Sequence, residues 1–141
     1  MNQALRRRII ALDAGGRRVG IAVSDELHMI ASPVKTVDIQ RGGWDEMLAI
    51  IDEYDPELVI VGLPTGMSGR EGPQAAAARR FAEKIRAESG RSVRLHDERL
   101  TSFMAEQALL QSGRKPKKRK QQIDAVAAAL ILQSFLDATR G

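Results

Sequence analysis

The chain has no cysteine among its 141 residues. That excludes a disulfide framework and a thiolate metal site, and it leads us to expect a reducing, cytoplasmic setting. Aromatic residues make up only 4% of the chain, too few for the stacking platform that single-strand nucleic-acid binders use. No apolar run approaches the ~20 residues of a bilayer-spanning helix, and Met1-Asn2-Gln3 opens no secretory pattern, so no membrane partner is expected. The turn from Gly62 to Gly69 is rich in glycine, yet no Gly-Lys-Ser/Thr follows it, which argues against a nucleotide-binding phosphate loop. There is no internal repeat, and nothing is low-complexity beyond an alanine run and a lysine/arginine run. The length and the 43% apolar fraction suit one compact domain over residues 1–141.

Charge is unevenly distributed. Residues 1–60 hold 7 Lys/Arg against 10 Asp/Glu, a net of −3, whereas residues 61–141 hold 15 against 8, a net of +7. A polyanionic partner approached by the second half is the expected consequence. Six cations fill seven positions in Arg114-Lys115-Pro116-Lys117-Lys118-Arg119-Lys120, which reads as a basic loop before a final helix. Such clusters hold nucleic-acid backbone through charge and counterion release. With so few aromatics, backbone and shape recognition is expected over base reading. The plain alternative is a solvated loop. Arg17 and Arg18 stand equally well as phosphate contacts or as surface charges.

The chain is organised around residues 9–25. Ile9 to Leu12 reads as a buried strand that stops at one carboxylate, Asp13. Gly15 and Gly16 supply a tight turn, and Val19 to Val23 leads away, so the segment reads as a hairpin with Asp13 at its first bend. Alternation puts Ile9, Ala11 and Asp13 on one face. At a bend, Asp13 could simply close an Asx-turn. Further on, residues 29–37 suit a third strand, with Pro33 placing it toward an edge. Trp44, Met47, Leu48, Ile51 and Tyr54 recur at helical spacing, Trp44 as a core residue. Residues 58–61 form a strand, and a helix starts near Pro73 and ends around Gly90. Residues 92–96 alternate as a strand before Asp97-Glu98-Arg99. A helix capped by Thr101 or Ser102 runs through Leu110, and a last one spans about Gln122 to Ala138. The order β-β-β-α-β-α-β-α-α implies an α/β fold, a mixed sheet with helices on both faces.

Ligands in such sheets gather at the carboxyl ends of the parallel strands. Asp13 ends the first strand, and Asp97 and Glu98 end the last. Those two neighbours face opposite ways, with Arg94, His96 and Glu98 on one side and Val93, Leu95 and Asp97 on the other, and pattern alone does not choose between them. Asp124 begins the apolar helix Ile123-Asp124-Ala125-Val126-Ala127-Ala128-Ala129-Leu130-Ile131-Leu132; a favourable helix dipole would alone suffice to explain it. Taken together, acids at the ends of buried elements are the hard oxygen donors that Mg²⁺ or Mn²⁺ prefers. Two such ions about 3.5–4 Å apart serve phosphodiester hydrolysis. His28 and His96 read as ordinary residues, with His96 the better outside candidate for a ligand.

The segments DAGGRRVGIAVSD, VGLPTGMSGREGPQA, DERLT and IDAVAAALIL resemble, in order and over nearly the whole chain, the YqgF family. This is a ribonuclease-H-like family described as Holliday-junction resolvases and pre-16S ribosomal RNA nucleases. The resemblance implies a five-stranded mixed sheet with its first three strands antiparallel. It implies that Asp13, Glu98 and Asp124 form an acidic catalytic and metal-binding triad, which settles the choice toward Glu98. The implied substrate is structured nucleic acid, either the 16S ribosomal RNA precursor at its 5′ end or branched DNA, cut by a monomer or homodimer. Arg17, Arg18, Arg114, Lys115, Lys117, Lys118, Arg119 and Lys120 are the expected substrate contacts. Two departures stand out: Gly16 replaces a usual threonine, and Gly66-Met67-Ser68-Gly69 replaces a usual Asn-Met-Asp-Gly. Neither touches the triad. Two other classes compete, a catalytically weak binding factor for ribosome assembly or transcription, and a sugar or acetate kinase relative. The kinase needs a second domain for which the chain has no room.

Overall fold

Alternation along the first strand divides the molecule into two layers. In the computed structural model the described residues are 7–64, 72–97 and 116–140, with 116–123 and 140 described for backbone only. Ile10 and Leu12 of β1 (Ile9–Gly15) are fully buried on one side, and Ile9 and Ala11 are buried on the other. β2 (Arg18–Ser24) pairs antiparallel with β1, and β3 (Ala31–Asp38) pairs antiparallel with β2. β4 (Leu58–Leu63) and β5 (Val93–Asp97) then add in parallel on the far side of β1. The sheet order is β3-β2-β1-β4-β5, which is the expected five-stranded mixed sheet with its first three strands antiparallel. Pro33 lies on the edge strand β3, where its missing N–H costs least. A register shift falls beside it, between Ile21 and Ala22 of β2.

Helix α1 (Gly43–Tyr54) and helix α2 (Pro73–Ser89) cover the Ile10/Leu12 face. Met47, Ile51, Ala82 and Ile85 join Val19, Ile21, Val59 and Val61 there in one buried cluster. Burying each large aliphatic side chain contributes about 1.5–3 kcal/mol. Trp44 packs at the rim of that cluster, edge-on to Phe81, while its Nε1 donates to Glu88 at 2.8 Å. α1 stops where Asp55 takes a left-handed φ of 47° ahead of Pro56, and α2 starts at a proline and ends at Gly90.

Helix α3 (Pro116–Arg140) covers the opposite face. Ala128, Ala129, Ile131, Leu132, Phe135 and Leu136 bury against Ile9, Ala11, Ala22 and Ile60. Small residues dominate where this helix lies closest to the sheet.

The structure departs from two expectations. The basic run does not form a loop up to Gln122: residues 117–120 are already helical, and Pro116 opens α3. A cluster of charges carries no apolar period to betray a helix, but proline is well suited to a first helical position. Nor does β1 stop at Asp13: it continues to Gly15, and Gly16 makes the turn at φ 77°. Asp13 is therefore a ladder residue, paired with Gly20 and set back from the turn. The expected turn from Gly62 to Gly69 begins later, since Gly62 and Leu63 extend β4; its residues 65–69 and the expected helix over 101–110 lie outside the described residues.

Candidate active site

Asp13 pairs with Gly20 across the antiparallel ladder. Directly opposed residues project to the same face, with β-carbons about 5 Å apart. That face is the one covered by α3, since Ile9 and Ala11 alternate with Asp13 and pack on it. Gly20 brings the helix down. A β-carbon on it would stand 1.8 Å from the carbonyl oxygen of Asp124 and 2.7 Å from the nitrogen of Ala125. Only a residue without a side chain lets the helix backbone sit there. The Asp124 carboxylate then lies over the hairpin end, where a β-carbon on Gly15 would touch its Oδ1 at 3.7 Å. The fold thus places Asp13, 9% exposed, and Asp124, with its side chain 16% exposed, on the same face of the sheet, where the third turn of α3 crosses the hairpin.

Arg18 pairs with Gly15, at the same end of the hairpin. Its Nε is 3.2 Å from Asp124 Oδ2, and its side chain is 29% exposed. Arg17 turns elsewhere: its Nε and Nη2 donate to Asp38 Oδ2 at 3.1 and 2.5 Å. That hydrogen bond holds the Asp38 carboxyl below its ordinary pKa and the Arg17 guanidinium above its own. The two neighbouring arginines thus serve different carboxylates.

On β5 the residues that alternate with Val93 and Leu95 face α3. Arg94 lies over the Phe135 ring, 5.7 Å from its centroid. His96 meets Phe135 edge-on and places Nε2 3.1 Å from Ser134 Oγ. Burial lowers the His96 pKa, and Asp97 opposes that only in part, so the ring is neutral at pH 7. Gly62 of β4 pairs with His96, and Leu12 pairs with Val61, so His96 lies at the level of Asp13 two strands away. His28 is remote from this pocket, with Nε2 2.6 Å from the carbonyl oxygen of Arg7.

Glu98, Arg114 and Lys115 lie outside the described residues. Lys117, Lys118, Arg119 and Lys120 are described only as backbone of the first turns of α3. Sequence reasoning missed Gly20, although a glycine inside a strand pattern is the usual mark of close backbone approach. It also missed the Arg18–Asp124 pair, for which no local signal exists.

A family profile described as a Holliday junction resolvase, RuvX, matches residues 7–138. The chain belongs to the RuvX family. Relatives in Lactococcus lactis subsp. cremoris and Geobacillus kaustophilus bear the description "Putative pre-16S rRNA nuclease". The Lactococcus protein is 46% identical over 135 residues, which is 93% of this chain and 94% of its own. The Geobacillus protein is 45% identical over 137 residues, 94% and 99% of the two chains. Among solved structures, the RuvX-family fold seen here is similar to that of T. thermophilus RuvC in complex with a Holliday junction substrate, with a TM-score of 0.56 and 19% identity over 96% of this chain and 97% of that one. It is also similar to that of Fowlpox virus resolvase with Holliday junction DNA, at 0.62 and 14%, over 95% and 99%. At such identities the likeness is one of fold, and it is ribonuclease-H-like as expected.

The pocket's donors suit a divalent cation. Two carboxylates offer hard oxygen ligands at a partly water-accessible position. Among the described residues no group of three such side chains gathers; the third expected acid, Glu98, lies outside them.

Proposed function

We propose that this chain is a metal-dependent nuclease that hydrolyses phosphodiester bonds in structured nucleic acid. The 16S ribosomal RNA precursor, matured at its 5′ end, is the foremost substrate and the four-way DNA junction the second. The observation that supports this most is the close approach of the Asp124 backbone to Gly20, the residue paired with Asp13 across the hairpin. Family membership and the names of its relatives support the reaction class.

In this proposal Asp13, Asp124 and Glu98 hold Mg²⁺ or Mn²⁺. Bound there, the ion supplies Lewis-acid stabilisation of the charge that gathers on the phosphate oxygens. The family resemblance favours Glu98 over Asp97; positions 94 and 96 of β5 face the side of the sheet on which Asp13 lies. The chain's own residues do the remaining work. Gly20 fixes the height of Asp124 over the sheet, and Ala11 and Ala128 exclude water behind the acids. The cations at 117–120 precede Asp124 on the same helix, about 6–10 Å along its axis, where they meet the phosphates flanking the scissile bond. The single domain spanning residues 1–141 acts in the cytoplasm, as monomer or homodimer.

The test is a cleavage panel. Labelled 16S precursor and four-way junction are incubated with Mg²⁺, with Mn²⁺ and with chelator. Cleavage that requires metal and favours the precursor is expected. Metal-supported binding without cleavage of either substrate would overturn the enzyme assignment in favour of a binding factor.

A further inference from the structure

A guanidinium and a divalent ion cannot both use the same carboxylate oxygen without cation–cation repulsion, and Arg18 stands where that conflict arises. Its Nε lies 3.2 Å from Asp124 Oδ2 in a position only partly open to water. The neighbouring Asp13 is more buried still. Two carboxylates brought out of water on one face are strongly disfavoured unless cations offset them. Arg18 is a cation placed to do so, and it is delivered by the same short hairpin that carries Asp13.

We propose that Arg18 is the internal counter-cation of Asp124, a positioning residue that holds the carboxylate in place and is exchanged for the divalent ion. The inference rests on the assignment of Asp13 and Asp124 as metal donors. Exchange has two consequences. The metal-free pocket stays folded at neutral pH because Asp124 is already compensated. Metal affinity is reduced by whatever the Arg18–Asp124 pair contributes, since that pair must be given up. The freed guanidinium, its side chain already 29% exposed, is then available to the substrate backbone, which couples metal entry to phosphate binding.

The experiment is calorimetric titration of Mn²⁺ into the full chain without nucleic acid, with thermal melts in chelator alongside. Arg18→Gln, which keeps the polarity and removes the charge, is expected to melt lower than the parent in chelator and to bind Mn²⁺ on the order of tenfold more tightly. Asp124→Asn is expected to lose Mn²⁺ binding. If the parent binds no Mn²⁺, the metal assignment falls and this proposal falls with it. If the parent binds and Asp124→Asn does not, while Arg18→Gln binds equally or more weakly, the metal assignment stands and the counter-cation is overturned. Were Arg18→Gln not to fold, Arg18→Lys decides. Lysine keeps a charge but is a compact, more strongly hydrated cation that pairs less closely at this place, so it must bind Mn²⁺ more tightly than the parent or the proposal is wrong.

Discussion

Gly20 sits directly beneath Asp124. A β-carbon at Gly20 would come within 1.8 Å of the Asp124 carbonyl oxygen and 2.1 Å of its carbonyl carbon. The clash would be with helix backbone, which has no rotamer with which to yield. This close approach sets the distance between the hairpin that carries Asp13 and the helix that carries Asp124.

Gly20→Ala should therefore cost about 3 kcal/mol, at the upper end of overpacking effects. A urea melt with an unchanged slope and a lower midpoint would register it. Cleavage should fall further than stability alone explains, because α3 must lift Asp124 away from Asp13. An alanine variant as stable as the parent would mean that α3 adjusts freely over the sheet.

The layered fold is legible in the sequence because its signals are local and periodic. Strand alternation puts Ile9, Ala11 and Asp13 on one face, and the alanine-rich helix announces a close approach to the sheet. The height of that approach is not legible: Gly20 stands inside an apolar run and draws notice only once its partner across space is known. Arg17 and Arg18 show the same limit. They are adjacent in sequence and alike in chemistry, yet one pairs with Asp38 and the other with Asp124, a choice made by which way each leaves the hairpin. The start of α3 escapes a sequence reading because six cations give no apolar stripe. Pro116 resembles a breaker there, where it is in fact a first helical residue.

The acids should separate chemistry from binding. Asp13→Asn, Glu98→Gln and Asp124→Asn should each lower metal-dependent cleavage by at least about a hundredfold, while affinity for nucleic acid in chelator shifts no more than a few-fold. Single-turnover cleavage and filter binding measure the two. Near-parental cleavage by two of the three would remove the triad.

The helical start of α3 should do the converse. Neutralising Lys117, Lys118, Arg119 and Lys120 together should weaken binding to all sequences alike. The slope of log affinity against log salt should flatten by about one for each phosphate no longer neutralised. A salt slope equal to the parent's would return these residues to solvated helix surface.

His96 supplies a pH test. Burial beside Phe135 lowers its folded pKa, so below about pH 6.5, the ordinary histidine value, the unfolded chain binds a proton that the folded chain resists. Stability from this group is present above that pH and is lost as pH falls through the lower folded value. Melting temperatures of the parent should thus drop more between pH 7 and pH 5 than those of His96→Gln, which has nothing to titrate there. Parallel curves would place the ring in a more open setting than its approach to Ser134 implies.

The last test concerns Asp13 and needs no substrate. Under the proposed shared site, Asp13 and Asp124 bring like charges together in the metal-free protein, and the Arg18 guanidinium, 3.2 Å from Asp124 Oδ2, offsets part of that charge. Folding then works against residual repulsion at neutral pH. Asp13→Asn keeps the shape and removes a charge, so in chelator it should melt at the parent's temperature or above it, as is common where a strained site serves activity. Divalent ions bind the assembled pocket and not the unfolded chain, so Mn²⁺ should raise the parent's melting temperature in a concentration-dependent way. The variant, short of one donor, should respond much less. If Asp13 served only to stabilise the hairpin, both outcomes would invert: the variant would melt lower in chelator, and Mn²⁺ would shift the two proteins equally. Four melts, parent and variant with chelator and with Mn²⁺, distinguish these cases, and a destabilised variant indifferent to metal would remove Asp13 from the shared site.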